Sequence, residues 1–152
     1  MNDYVTMTGG DNSTIKGGDY STLKGGNWST LTGGDNSTLE GGDNSTLKGS
    51  SWSTLTGGKG STLMGGFGST LKGDFRSTLT GGNESTLTGG KGSTLTGGNW
   101  STLCWRIWEG KYWRYHMFYV GEDDVLPNVA YKFIDGKLES QSGEEGKAAS
   151  NT

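Results

Sequence analysis

The sequence predicts an all-β protein: a parallel β-solenoid with about 16 residues per coil, closed by a short C-terminal aromatic β cap. Two observations carry this prediction. From Gly9 the chain repeats an octad of the form G-G-x-x-S-T-L-x twelve times, ending at Cys104, and a degenerate octad precedes the first repeat. After Leu103 the period stops and aromatic residues crowd together. Strict self-similarity at a fixed period is typical of stacked repeat architectures.

Each octad predicts one short strand and one corner. Side chains alternate between faces along an extended chain, so Leu and Ser of Ser-Thr-Leu-x share one face, and Thr and the eighth residue share the other. Because Leu must be the inward set, Ser is inward and Thr points to water. The Gly-Gly that follows is expected to permit positive φ and close backbone approach at a tight corner.

The number of octads per coil follows from the residues that stacking would bring together. The fourth and eighth positions vary with a period of three octads, as in Trp28 and Trp52. Three octads per coil would make a triangular prism, but it would stack Lys24 on Lys48, and like charges in register are destabilising. Two octads per coil separate these lysines and set Lys24 beside Glu40. We therefore favour coils of two octads, and keep the triangular coil of three octads, about 24 residues, as the alternative.

The chain divides into three segments by composition and period. Residues 1–104 form the octad solenoid, 105–138 the cap, and 139–152 a polar, Gly- and Ser-rich tail that is predicted to be disordered. Within the cap, Glu109-Gly110 and Asp135-Gly136 each separate two strand-like runs and predict hairpin turns.

The aromatic residues of the cap allow two interpretations. They could cover the Leu line and the unpaired strand edges of the last coil. Alternatively, some could project outward and dock a second chain, since aromatic and Arg enrichment is typical of interface hot spots. The residues concerned are Trp105, Arg106, Trp108, Tyr112, Trp113, Arg114 and Tyr115.

Composition and charge exclude several classes of protein. Of 152 residues, 29% are hydrophobic and 30 are glycine, which is too little apolar material for a conventional core. The net charge is −3 and the lysines are scattered, so a nucleic-acid partner is not expected. No signal peptide and no apolar run of membrane-spanning length are visible. Cytoplasmic and cell-surface locations, and contact with a membrane, stay open.

No catalytic, metal or cofactor site is expected from the residues. His116 has no second His or Cys nearby, and nothing around Cys104 in sequence would lower the pKa of its thiol. The Gly-Gly-Asp segments are similar to calcium-binding nonapeptide repeats, but here the period is eight. Calcium needs several oxygens converging in one loop. The sequence therefore predicts a protein that is not an enzyme.

The octad and the cap together resemble the bacterial ice nucleation protein family. The repeat match is carried by segments such as Gly-Gly-Asn-Trp-Ser-Thr-Leu-Thr (25–32), and the cap match by Cys-Trp-Arg-Ile-Trp-Glu-Gly-Lys-Tyr-Trp-Arg-Tyr (104–115). Gly121, Leu126-Pro127 and Tyr131 fit less closely, and the resemblance covers about residues 1–133. It implies coils of two octads, outward Thr-x-Thr motifs that order water, and final coils with basic residues that mediate assembly.

The chain departs from that family at two places in the octad. The family usually has Ala-Gly where this chain has Gly-Gly. In just over half of the octads from Gly9 to Thr96, and in the last one, the second Thr of Thr-x-Thr is replaced, most often by Lys. This pattern is more similar to the family's terminal assembly coils than to its ice-organising middle.

Two functions are expected from this combination of repeat and resemblance. The first is a non-enzymatic protein that orders water or binds ice through outward Thr arrays and self-associates, end to end or as a dimer. Its water-facing residues would be Thr30, Thr32, Thr54, Thr56, Thr78, Thr80, Thr86, Thr88, Thr94 and Thr96. The alternative is a structural or adhesive rod in a larger surface or virion assembly without ice activity, which large aromatics such as Trp28 and Trp100 suit.

Overall fold

The computed structural model describes residues 4–141, which form an all-β solenoid of stacked coils with no helix. In chain order the strands are β1 (Thr6–Thr8), β2 (Thr14–Lys16), β3 (Thr22–Lys24), β4 (Thr30–Thr32), β5 (Thr38–Glu40), β6 (Thr46–Lys48), β7 (Thr54–Thr56), β8 (Thr62–Met64), β9 (Thr70–Lys72), β10 (Thr78–Thr80), β11 (Thr86–Gly89), β12 (Thr94–Thr96), β13 (Thr102–Trp108), β14 (Trp113–Tyr119), β15 (Ala130–Ile134) and β16 (Lys137–Ser140). The short strands recur once per octad, as predicted.

Successive octad strands alternate between two sheets of eight strands each. The odd sheet has the order β1-β3-β5-β7-β9-β11-β13-β14, and the even sheet has the order β16-β15-β12-β10-β8-β6-β4-β2. Neighbouring octad strands are parallel and offset by one coil, so that Thr38 pairs with Thr54 and Leu39 with Leu55. The coil therefore contains two octads, as predicted, and the alternative of three octads is wrong.

The core is a double line of leucines with a serine beside each one. Every seventh-position Leu from Leu23 to Leu103 is at most 1% exposed, and the fifth-position serines from Ser21 to Ser101 are equally buried. The serine hydroxyls donate to backbone carbonyls of the preceding coil, as Ser37 Oγ does to Gly18 O at 3.1 Å. Because buried hydroxyls need such partners, these bonds make the inward serines compatible with a thin apolar core. The predicted inward set of Leu and Ser is confirmed.

The corners correct one prediction about Gly-Gly. Positive φ falls on the fourth octad residue, for example 61° at Trp28 and 67° at Gly60, and not on the Gly-Gly pair. At Gly33 and Gly34 the glycines are needed for space. A Cβ on Gly33 would lie 2.7 Å from Ser37 Cβ, and a Cβ on Gly34 would lie 2.9 Å from the backbone nitrogen of Asp19, one coil earlier. Close approach explains these two glycines, although Ser50 and Asp74 occupy the position of Gly34 in other octads.

A hydrogen-bonded column also runs along the corners. Asn27 Oδ1 accepts from the backbone N–H of Asp43 at 2.8 Å, and Asp43 Oδ1 accepts from the N–H of Lys59 at 2.8 Å. Backbone bonds between coils, such as Trp28 N to Asp43 O at 2.9 Å, complete the column. The corners are therefore stacked in register like the strands, and each corner position forms a straight line along the rod.

The cap adds antiparallel strands to both sheets at the C-terminal end. Both predicted turns are present: Glu109-Gly110 lies between β13 and β14, and Asp135-Gly136 lies between β15 and β16. The predicted boundaries differ in two details. Strand β13 continues through the boundary at 104/105, and β16 extends to Ser140, beyond the predicted start of the tail at 139. The remainder of that tail, 142–152, lies outside the described residues.

Candidate functional site

Each sheet directs the sixth and eighth octad residues outward, although Thr80, Thr94 and Thr96 are only half exposed and Cys104, the eighth residue of the last octad, is buried. The sixth residue is Thr in every octad, so the parallel register stacks these threonines in an unbroken column on both faces, as Thr78 on Thr94. Strand spacing sets neighbours about 4.8 Å apart along the rod, and the two threonines of a Thr-x-Thr motif about 6.7 Å apart across it. The result is a regular array of hydroxyl and methyl groups along each face.

The ten predicted water-facing threonines do not form one surface. Four lie on the odd sheet and six on the even sheet: Thr54, Thr56, Thr86 and Thr88 on the former, and Thr30, Thr32, Thr78, Thr80, Thr94 and Thr96 on the latter. Two complete Thr-x-Thr motifs are neighbours at one place in the described coils, where β10 pairs with β12. We call Thr78, Thr80, Thr94 and Thr96 the threonine quartet.

The eighth-position column is interrupted elsewhere by charged and apolar side chains. On the odd sheet Lys24 lies beside Glu40, with Nζ and Oε1 3.3 Å apart and both side chains exposed. On the even sheet Lys48 and Met64 separate Thr32 from Thr80. An exposed ion pair contributes little to stability, so the effect of these residues is chiefly to break the continuity of the threonine faces.

Of the seven cap residues predicted to cover the last coil or to dock a second chain, one is buried and six lie at the surface. Trp105 is fully buried, and its indole N–H donates to Ser93 O at 3.0 Å, so it closes the Leu line. The other six lie on the surface of the β13–β14 hairpin. The Arg106 guanidinium lies 3.9 Å from the Trp113 ring centroid, and the Trp113 ring packs edge-on against Trp108 at 5.4 Å. Glu109 Oε1 forms an ion pair with Arg114 Nε at 2.8 Å.

A groove of about 540 Å³ lies where this hairpin passes the solenoid. Strand β13 pairs with β11 as far as Trp105 opposite Gly89 and then continues past the end of β11, paired only with β14. Its far end, with Trp108 and Trp113, lines the groove together with corner residues that include Phe75 and Lys91. Sequence reasoning missed the corner residues, because only the path of the hairpin brings them close to the cap.

Exposed aromatic side chains also line the two edges of the rod where the chain passes from one sheet to the other. A spacing of three octads is one and a half coils, so Trp28 lies on one edge and Trp52 on the other, and the two side chains do not stack. Tyr4 and Tyr20, one coil apart, do stack, with ring centroids 4.8 Å apart. Trp28 is 62% exposed and Trp100 is 78% exposed.

His116 contacts neighbouring side chains of the cap, and Cys104 is buried. His116 Nε2 lies 2.9 Å from Glu109 Oε2, and its ring stacks on Phe133 at 4.4 Å. Cys104 is buried, and burial raises the pKa of its thiol above the ordinary 9.0, which keeps it in the unreactive protonated form. Residues 4–141 contain no group of three or more His, Cys, Asp or Glu that could hold a metal ion. Over the same stretch, no apolar helix is long enough to cross a membrane.

No protein-family model, no curated protein and no solved structure matches the chain. The likeness to the ice nucleation protein family is therefore carried by the octad and cap residues quoted above.

Proposed function

We propose that the protein is a non-enzymatic, water-ordering solenoid that binds ice through its outward threonines and self-associates. The observation that carries the proposal is the continuous parallel register, which sets the sixth-position threonines in straight columns on both sheets. A rigid array of hydroxyls and methyls at about 4.8 Å by about 6.7 Å can hold a first layer of water in fixed positions. The family resemblance supports the same function.

The threonine quartet is the strongest part of this surface. It combines four outward threonines on adjacent strands with no charged residue among them. The hydrogen bonds that hold its backbone are those of the sheet, so the array is already ordered before water binds. Pre-ordering removes the entropic cost of fixing the backbone on binding.

The size of the rod limits what a single molecule can do. Six coils at about 4.8 Å extend about 29 Å, and charged side chains interrupt the eighth-position columns. A single chain is therefore expected to bind ice weakly and to nucleate poorly. Association of several chains would enlarge the ordered face.

The test is ice shaping and droplet freezing with two matched double variants. Thr78→Lys with Thr94→Lys places two cations in the quartet, whereas Thr22→Lys with Thr38→Lys makes the same charge change on the odd sheet beside Lys24 and Glu40. The first double variant should abolish ice shaping and return the freezing temperature to that of buffer, and the second should change both little. Circular dichroism checks that both remain folded. Equal loss in both variants, or wild-type freezing no different from buffer, would contradict the proposal.

A second candidate function is a structural rod that contacts other proteins through its edges. The observation that favours it is the backbone of the edge tryptophans: Trp28, Trp52 and Trp100 have φ of 61°, 60° and 65° while most of each side chain is exposed. Left-handed backbone is unfavourable for a bulky residue, and each of these side chains is less than half buried, although Trp52 packs edge-on against Phe67 at 5.1 Å. A droplet freezing temperature of the wild type equal to that of buffer would be consistent with this second function.

A further inference from the structure

One edge of the rod carries acidic residues in its N-terminal half and basic residues in its C-terminal half. We call it the first edge; it consists of the third and fourth residues of the octads that begin at Gly9, Gly25, Gly41, Gly57, Gly73 and Gly89. From the N-terminal end its third-position residues are Asp11, Asn27, Asp43, Lys59, Phe75 and Lys91. The acidic residues lie in the first half and the basic residues in the second half. Hydrogen bonds between successive corners hold these residues in one column.

We propose that two copies of the chain pair side by side and antiparallel through this first edge. When the column is set against a reversed copy of itself, Asp11 faces Lys91 of the second copy and Asp43 faces its Lys59. Two-fold symmetry repeats both contacts, because an isologous interface pairs residue i with j and j with i. Four acid–lysine contacts result. A parallel arrangement would set each charge against its own copy, which is repulsive.

The fourth-position column fits the same register. It reads Asn12, Trp28, Asn44, Gly60, Arg76 and Gly92. In the reversed copy each Asn faces a Gly, so that no two side chains of these positions oppose each other, and Trp28 faces Arg76. A guanidinium over an indole ring is a favourable cation–π contact. This pairing gives Trp28 a partner, which explains an exposed tryptophan held at a left-handed backbone position.

The four charged side chains of the first edge are exposed except for that of Asp43, which is half-buried, and Lys91 also lines the groove beside Trp108. None of Asp11, Asp43, Lys59 and Lys91 forms an ion pair within the described chain, where the ion pairs are Lys24–Glu40, Arg114–Glu109 and His116–Glu109. Asp74, also on this edge, accepts the N–H of Phe75 at 2.8 Å and would face Gly26 of the second copy. The opposite edge has no such pattern, because its third and fourth positions from Asp19 to Trp100 contain no lysine or arginine.

The pairing is expected to be weak and sensitive to salt. An edge about 29 Å long and two residues wide buries much less than the roughly 1,200–2,000 Å² of a stable interface. Contacts between exposed charges are screened over about 10 Å at 0.1 M salt and over shorter distances at higher salt. The dimer should therefore be populated at high protein concentration and low ionic strength.

The symmetry of the pair has a consequence for the faces. Antiparallel rods that meet through the same edge are related by a two-fold axis perpendicular to the sheets. The odd sheets of both copies then face the same side, and so do the even sheets. The pairing therefore doubles the width of each threonine face. The importance of the wider face for ice binding rests on the proposed function, whereas the pairing itself does not.

The test is sedimentation velocity at 20 °C, where ice plays no part, at ionic strengths of about 20 mM and 500 mM. Two double variants have the same net charge: Asp43→Lys with Lys59→Asp, which restores opposite charges in the reversed register, and Asp11→Lys with Lys59→Asp, which sets like charges together. Lys and Asp both occur at this octad position, so both variants should fold. The single variants Asp43→Lys and Lys59→Asp should weaken dimerisation at least about tenfold.

The matched double variant should recover the wild-type dissociation constant to within about threefold, and the mismatched one should not. Trp28→Asn should also weaken the dimer, because Asn keeps the left-handed backbone but loses the contact with Arg76, and Trp52→Asn on the opposite edge is its control. Equal behaviour of the two double variants would overturn the proposal. So would a wild-type chain that stays monomeric at about 1 mM and low salt. Either result leaves the ice experiment unaffected, so the two proposals can fail separately.

Discussion

Replacement of Leu55 by Ala tests the inward leucine line directly. Leu55 is fully buried in the middle of the rod, with Leu39 and Leu71 as its neighbours in the column. The change removes three carbons, and at about 0.8 kcal/mol per buried CH₂ the loss of burial alone costs about 2.4 kcal/mol. The cavity raises the expected cost to about 2.5–5 kcal/mol. Because each coil contacts only its neighbours, the defect cannot be relieved by distant repacking.

The matched control for this prediction is Thr54→Ala, one residue earlier on the same strand. Thr54 points to solvent on the opposite face of β7, so its loss should change the free energy of unfolding by no more than about 0.5 kcal/mol. Urea unfolding followed by far-UV circular dichroism measures both variants. If the two substitutions cost the same, or if Leu55→Ala costs less than about 1 kcal/mol, the assignment of inward and outward faces is wrong.

Three further predictions concern the corners, the cap and the buried thiol. Gly34→Ala should lower the free energy of unfolding by about 1–3 kcal/mol, because the added Cβ meets the backbone of Asp19. Gly10→Ala should be tolerated, because nothing lies within 4 Å of the added Cβ. Midpoints of urea unfolding compare the two variants. Trp105→Ala should cost about 3–5 kcal/mol and expose the cap to limited proteolysis, whereas Trp108→Ala, half exposed, should do neither. Burial raises the pKa of Cys104, so the folded thiol holds its proton above pH 9.0 and the wild type loses stability as pH rises past that value. Cys104→Ala should reduce this alkaline loss in thermal melts at pH 8 and pH 10, and an unchanged loss would contradict the cause given.

The fold could be predicted largely from the sequence because an eight-residue period fixes both alternation and stacking. Once Leu is inward, the face of every Ser and Thr follows, and the charges decide the coil length: the contact of Lys24 with Glu40 is present at 3.3 Å. The role of Gly-Gly was predicted only in part. A glycine in a sequence does not reveal whether φ or space requires it, and at Gly33 and Gly34 the requirement is space.

The candidate site was less accessible to sequence reasoning. The ten threonines were identified as one outward set, but only the division into two sheets separates them and leaves the threonine quartet as the one place in the described coils where complete motifs adjoin. The groove beside Phe75 and Trp108 depends on how far β13 continues past the solenoid, which no local pattern encodes. The reversed charge order of the first edge becomes visible only when residues two octads apart are read as one column.

The register of two octads per coil is the claim on which the faces, the quartet and the edge pairing all depend. Nitroxide spin labels on Cys pairs in a Cys104→Ser background measure it directly. Labels at Thr38 and Thr54, which pair across β5 and β7, lie about 5 Å apart at the backbone and should show strong dipolar broadening at low protein concentration. Labels at Thr38 and Thr62, three octads apart on opposite sheets, should show much less. Stronger broadening in the second pair would contradict the account.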